Sequence, residues 1–114
     1  MIARTWHGIV PIKNAERFRN HLLKTGITEA VATSGNCGAY IYQQSQDDWE
    51  HFFMISYWKD FDSIAAFAGS DPDTAVCYPD DCAFGLISDP IVIHHEVNSV
   101  PTAFPLIRNK KSDQ

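Results

Sequence analysis

Nothing in this chain supplies the pairing that a disulfide framework needs. It has three cysteines, Cys37, Cys77 and Cys82, an odd number with no CxxC spacing. That fits reduced thiols and a cytoplasmic setting better than an oxidised scaffold, and it offers no paired metal-ligand spacing. Long apolar runs are also missing: no stretch approaches the roughly 20 residues of a membrane span. The first residues lack a basic segment followed by an apolar one, so no export signal is expected. Basic clusters are scarce. The only one, Arg108-Asn109-Lys110-Lys111, sits in the polar end, and the net charge is −5. That balance argues against a nucleic-acid or anionic-membrane partner. Internal repeats and low-complexity segments are absent too.

What is present is one domain's worth of ordinary globular composition, 114 residues at 45% hydrophobic. The most telling segment is His51-Phe52-Phe53-Met54-Ile55-Ser56-Tyr57-Trp58, closed by Lys59-Asp60. It reads as a strand buried on both faces. Ile2–Val10 reads as a first strand ended by Pro11, with Arg4 and Trp6 on one face and His7 on the other. Asn14 is the expected cap of a helix from Ala15 to about Thr25, stopped by Gly26. Residues 27–37 form a loop or a short helix. Gly38–Gln44 is a second strand with Tyr40 and Tyr42 on one face. Gln46-Asp47-Asp48 turns into the third strand, Trp49–Trp58. Asp60 or Asp62 caps a helix carrying Phe61, Ile64, Phe67 and Ala68. Asp71 caps a further short turn, Pro72 to about Tyr78. Pro90 opens a last strand, Ile91–Val97.

The order β-α-β-β-α-β is the split βαβ of an α+β, ferredoxin-like fold with an antiparallel sheet. We read residues 1–98 as that domain and 99–114 as a C-terminal tail without a core of its own. Helices cover one sheet face. The other face, left bare, is expected to pair with a second copy in a homodimer.

The ordered set Arg4-Thr5-Trp6-His7-Gly8, Phe53–Trp58, Ala65-Ala66-Phe67-Ala68-Gly69, Cys77-Tyr78-Pro79-Asp80-Asp81 and His94-His95-Glu96-Val97 resembles the antibiotic biosynthesis monooxygenase domain family. Members of that family are dimeric α/β barrels of about this length, and the likeness runs from Met1 to about Val97. It implies three activities: cofactor-free oxygenation of polyketide-type phenols, haem degradation, or ligand binding without a reaction. Haem-degrading relatives carry a His after the second helix, a Trp on it and an Asn on the first strand. The matching places here hold Cys77, Phe67 and about Trp6, so all three depart from that pattern. Nothing basic lies beside Cys77 to lower its pKa, and it reads as a small buried residue.

A cofactor-free oxygenase needs an aromatic-lined pocket, a base and exclusion of water. Histidine has the right intrinsic pKa to be that base. Of His7, His21, His51, His94 and His95, the candidate catalytic residues are His95 and His7. On a strand, His94 and His95 must face opposite sides. Trp6, Phe67 and Tyr78 are the expected walls of a pocket for a small aromatic molecule, with Arg4 and Cys77 completing the candidate substrate-binding set. No metal and no cofactor enter this reading. Each residue also has a plainer role: Trp6 and Phe67 as core, the histidines as hydrogen-bonded structural groups, His21 as a surface residue, and Arg4 as the partner of Glu96.

Overall fold

The computed structural model describes residues 1–98; the proposed tail, 99–114, lies outside them. Strand β1 (Ile2–Pro11) pairs antiparallel with β3 (Trp49–Trp58) along its whole length, from Ile2 opposite Trp58 to Pro11 opposite Trp49. β2 (Asn36–Gln46) flanks β3 on its other side. Two short strands, β4 (Ile87–Ser88) and β5 (Ile93–Glu96), share the free edge of β1. The sheet therefore runs β2-β3-β1-β4, with β5 also on β1. This five-stranded antiparallel sheet with helices on one face is consistent with a ferredoxin-like α+β plan.

Alternation sorts the side chains. Along β3, Glu50, Phe52, Met54, Ser56 and Trp58 are buried under the helices, while His51, Phe53, Ile55 and Tyr57 stay half-exposed on the far side. The expectation of burial on both faces is thus corrected within a single chain: one face is closed and the other only partly shielded. The core joins Val10, Phe18, Phe52, Trp58 and Ile64, all fully buried. Phe18 meets Phe52 edge-on at 5.0 Å between centroids, and Trp58 stacks on Phe67 at 5.5 Å. The Trp58 indole N–H donates to Ser56 Oγ at 2.9 Å, so the one small polar residue in this row satisfies the buried N–H.

The first helix corrects two sequence expectations. Helix α1 spans Ala15–Leu22, passes through a π turn (Leu23–Ile27), and continues as α2 (Thr28–Ala32). Gly26 does not stop it. A Cβ there would stand 2.9 Å from Met54 Sδ, so the missing side chain lets the helix lie close against β3. Asn14 makes no side-chain cap; its Nδ2 donates instead to Phe84 O at 2.9 Å. Helix α3 (Phe61–Ala68) begins as read: Asp60 accepts from Ser63 N at 2.8 Å and from Ser63 Oγ at 2.7 Å.

The expected last strand, Ile91–Val97, is present in shortened form as β5, and β4, ahead of Pro90, has no counterpart in the sequence reading. At Asp89-Pro90 the chain leaves β1, and Pro90 has no N–H to give a ladder. Residues 90–92 instead pair with 73–75, through Ala75 N to Pro90 O at 2.8 Å and Val92 N to Asp73 O at 2.9 Å. The expected turn from Pro72 begins as read, with Asp71 accepting from Thr74 N at 3.2 Å and from Thr74 Oγ1 at 2.8 Å, but from Thr74 to Tyr78 the chain runs as an extended fringe. A short 3-10 turn follows later, at Asp81–Phe84.

Phe52 is the center of this packing. Phe52→Ala is expected to cost about 3–5 kcal/mol, read as a lowered urea midpoint with an unchanged slope.

Candidate functional site

Trp6 lies across β1 beneath the loop of residues 76–88. Its position depends on Gly8, where a Cβ would come within 2.5 Å of the indole ring. The indole N–H donates to Ser88 Oγ at 2.8 Å, which ties the ring to β4. Outside it opens a cleft of about 260 Å³ between Trp6, Val76, Cys77, Tyr78, Cys82 and Leu86. Behind it, toward the sheet, lies a cavity of about 30 Å³ bounded by Arg4, Trp6, Phe67, Tyr78 and Asp81, among others. Trp6, Val76, Tyr78, Asp81 and Leu86 belong to both. The inner cavity holds a water or one small polar group. The outer cleft lies just under the usual range for small-ligand sites, roughly 300–1,000 Å³.

Four of the candidate substrate-binding residues, Arg4, Trp6, Phe67 and Tyr78, therefore surround one space, and Cys77 lines its outer part. Cys77 is exposed, which corrects its reading as a buried residue. It sits on a loop rather than in a helix, its Sγ 4.0 Å from Ala75 O.

Arg4 is 3% exposed. Its Nη2 donates to Thr74 O at 3.0 Å and Pro72 O at 3.4 Å, and its guanidinium lies 5.6 Å from the Phe67 ring center. The expected partnership with Glu96 does not form. Glu96 stands opposite Ile2 and is exposed, while the residue across from Arg4 is His94. Register decides this: β5 pairs two residues away from the register that would set Glu96 opposite Arg4. Burial lowers the Arg4 pKa, and the charges of Tyr78 and Asp73 oppose that.

The histidines divide between the faces. His95 stands opposite Ala3 on the outer face and is exposed. His7 is on that face too, bonded through Nδ1 to Asp89 at 3.0 Å and through Nε2 to His51 Nδ1 at 2.9 Å. Neither reaches the cleft. His94 faces the helices, with Nδ1 3.2 Å from Asp73 and the ring edge-on to Phe61. Burial, then the charge of Arg4, holds its pKa below the ordinary value, against a smaller upward pull from Asp73.

Sequence reading missed the titratable pair at the cleft. Asp81 Oδ1 is 2.7 Å from His21 Nε2, and Asp81 Oδ2 accepts from Tyr78 N at 2.9 Å. His21 packs on Phe84 at 4.8 Å between ring centers. It lies 60 residues from Asp81 in the chain, so no local motif announces the pair; only the helical face shared by Phe18 and His21 hints at it. The Tyr78 hydroxyl donates to Glu29 at 3.0 Å, and burial with that bond raises its pKa far above the ordinary tyrosine range. The phenol therefore stays neutral in the cleft wall.

The solved structure of Rv0793 from Mycobacterium tuberculosis matches this architecture. Its TM-score is 0.54 at 17% identity, over 90% of this chain and 100% of that one. The fold is shared. Neither the family models nor the curated proteins compared with this chain match it.

His94 supplies a test of the site's electrostatics. An unfolded chain takes up the proton near pH 6.5, before the folded one does. Stability is therefore expected to fall as pH drops through that value. His94→Gln should flatten the fall, measured as urea midpoints between pH 7.5 and about pH 5.

Proposed function

We propose that this chain is a homodimeric, cofactor-independent oxygenase that acts on a small aromatic or polyketide-like molecule in the cleft over Trp6. The observation that carries the reading is the cleft itself. It has an aromatic floor, a phenol held neutral in its wall, and the Asp81–His21 pair at its edge. An electron-rich phenol or anthrone needs to lose one proton before it can pass an electron to O2. Asp81 is the group in reach to take that proton, with His21 sharing it through the 2.7 Å bond. For an anthrone the whole change is a ring CH2 plus O2 giving a ring C=O plus water. The floor of Trp6 and Leu86 keeps bulk water from the carbanion.

Haem does not fit these residues. Phe67 is stacked on Trp58 instead of standing free in the cleft. A space of about 260 Å³ is small for a macrocycle.

The dimer is supported by the outer sheet face. Ile93 is 59% exposed there, beside half-exposed Thr5, Ile9, Phe53, Ile55 and Tyr40. These apolar and aromatic side chains, set around the His7–His51 pair, favour a partner surface there. It is the same patch on both copies, as a twofold axis requires.

Uptake of O2 with an anthrone or a dihydroxynaphthalene tests the activity. Trp6→Ala should lower the rate at least tenfold, and Asp81→Asn by roughly 10² or more. His95→Ala, on the opposite face, should leave it within about twofold. Equal rates in the parent and the folded Trp6→Ala protein would remove the cleft from the reaction. Sedimentation at micromolar concentration should give about twice the 12.8 kDa chain mass; a clean monomer would overturn the dimer.

A further inference from the structure

Arg4 is a buried cation without a matching anion. Among the described residues no carboxylate comes within ion-pair distance of its guanidinium. The acidic group whose charge reaches it, Asp73, is largely exposed and engaged with His94. Two backbone carbonyls and the Phe67 ring serve Arg4 instead, and its Nε–H is buried with no acceptor at all. A buried charge without a counter-ion and a buried N–H without an acceptor are both destabilising. Arg4 also borders the inner cavity, which has room for one small polar group behind the aromatic cleft.

We infer that Arg4 is an anion-binding residue and that the molecule taken into the cleft is an aromatic oxyanion. Its carboxylate or phenolate oxygen enters the inner cavity beside Arg4, and its ring lies in the outer cleft against Trp6. The guanidinium supplies a charge-assisted bond that no neutral ligand can replace. Asp81 borders the same cavity, its carboxylate turned to His21 through Oδ1 and to the Tyr78 N–H through Oδ2. The inference rests on the proposed aromatic cleft and names the chemical class that cleft selects.

Three ligands of one shape separate the cases: naphthoate, anionic at neutral pH; naphthol, neutral there and anionic in alkali; and naphthalenemethanol, neutral throughout. Titration calorimetry on the full chain should show naphthoate binding at least about tenfold tighter than naphthalenemethanol at neutral pH. Naphthol should gain affinity as it ionises if phenolates are also accepted; if it does not, carboxylates alone are the class. Arg4→Met should bring the three ligands within about twofold of each other, and Arg4→Lys should restore part of the preference. If Arg4→Met does not fold, the unmodified protein still decides, since naphthoate affinity must fall as the acid becomes protonated. Equal affinities for naphthoate and naphthalenemethanol, both weakened by Trp6→Ala, would overturn the anion site and leave the cleft standing. A naphthoate preference that survives in folded Arg4→Met would overturn the role of Arg4. Binding of none of the three would overturn site and cleft together. Tight naphthoate binding without O2 uptake on any phenol would uphold the anion site and overturn the oxygenase.

Discussion

The ten-residue pairing of β1 with β3 is the constraint from which the rest of the structure follows. Every residue from Ile2 to Pro11 has a partner on β3. A slip of β1 by one residue against β3 would send Trp6 and Val10 to the outer face and His7 and Ile9 into the core. The side chains make that slip prohibitive. Burying His7 beside Phe18 would strand imidazole nitrogens, and exposing Trp6 and Val10 would forfeit much of the apolar burial of β1. Register is thus fixed by what the two faces can tolerate.

Arg4 is the exception that this register forces inward. It shares the face of Trp6 and Val10, so it is buried whether or not an anion awaits it. The fold answers locally. Residues 72–74 are drawn over the sheet edge, and two of their carbonyls accept from the guanidinium. The same fringe pairs with 90–92, the segment between β4 and β5. Arg4, the fringe whose carbonyls serve it and that segment are therefore linked.

Much of this was legible in the residues. Alternation in Ile2–Val10 and Trp49–Trp58 placed Arg4 and Trp6 on one face and His7 on the other, and Asp60 marked the start of α3. The misread points share a cause: each depends on what lies across the fold. Gly26 looks like a helix stop until Met54 is seen against it. Asn14 looks like a cap until Phe84 O is found within its reach. Glu96 looks like a partner for Arg4 until the register of β5 is known. The Asp81–His21 pair joins a loop to a helix, and no spacing along the chain encodes that meeting.

The histidines divide between two differently arranged polar settings. On the outer face, Asp89, His7, His51 and Gln46 form a continuous chain of bonds of 2.9–3.0 Å. A His7 that donates from Nδ1 to Asp89 accepts at Nε2 from His51 Nδ1, so the two rings cannot both be fully protonated while that bond persists. Phe53 stacks on His7 at 4.6 Å, which fixes the ring on the sheet. These groups spend their hydrogen bonds on one another, crossing from β1 to β3. They harden the face proposed to meet a second copy. On the inner face the polar groups are arranged differently: Arg4 Nε and His94 Nε2 are buried without partners, and Asp81 is held at the cavity wall. The outer face thus carries a closed polar network, while the inner face keeps two buried nitrogens without partners, the arrangement on which the proposed anion site rests.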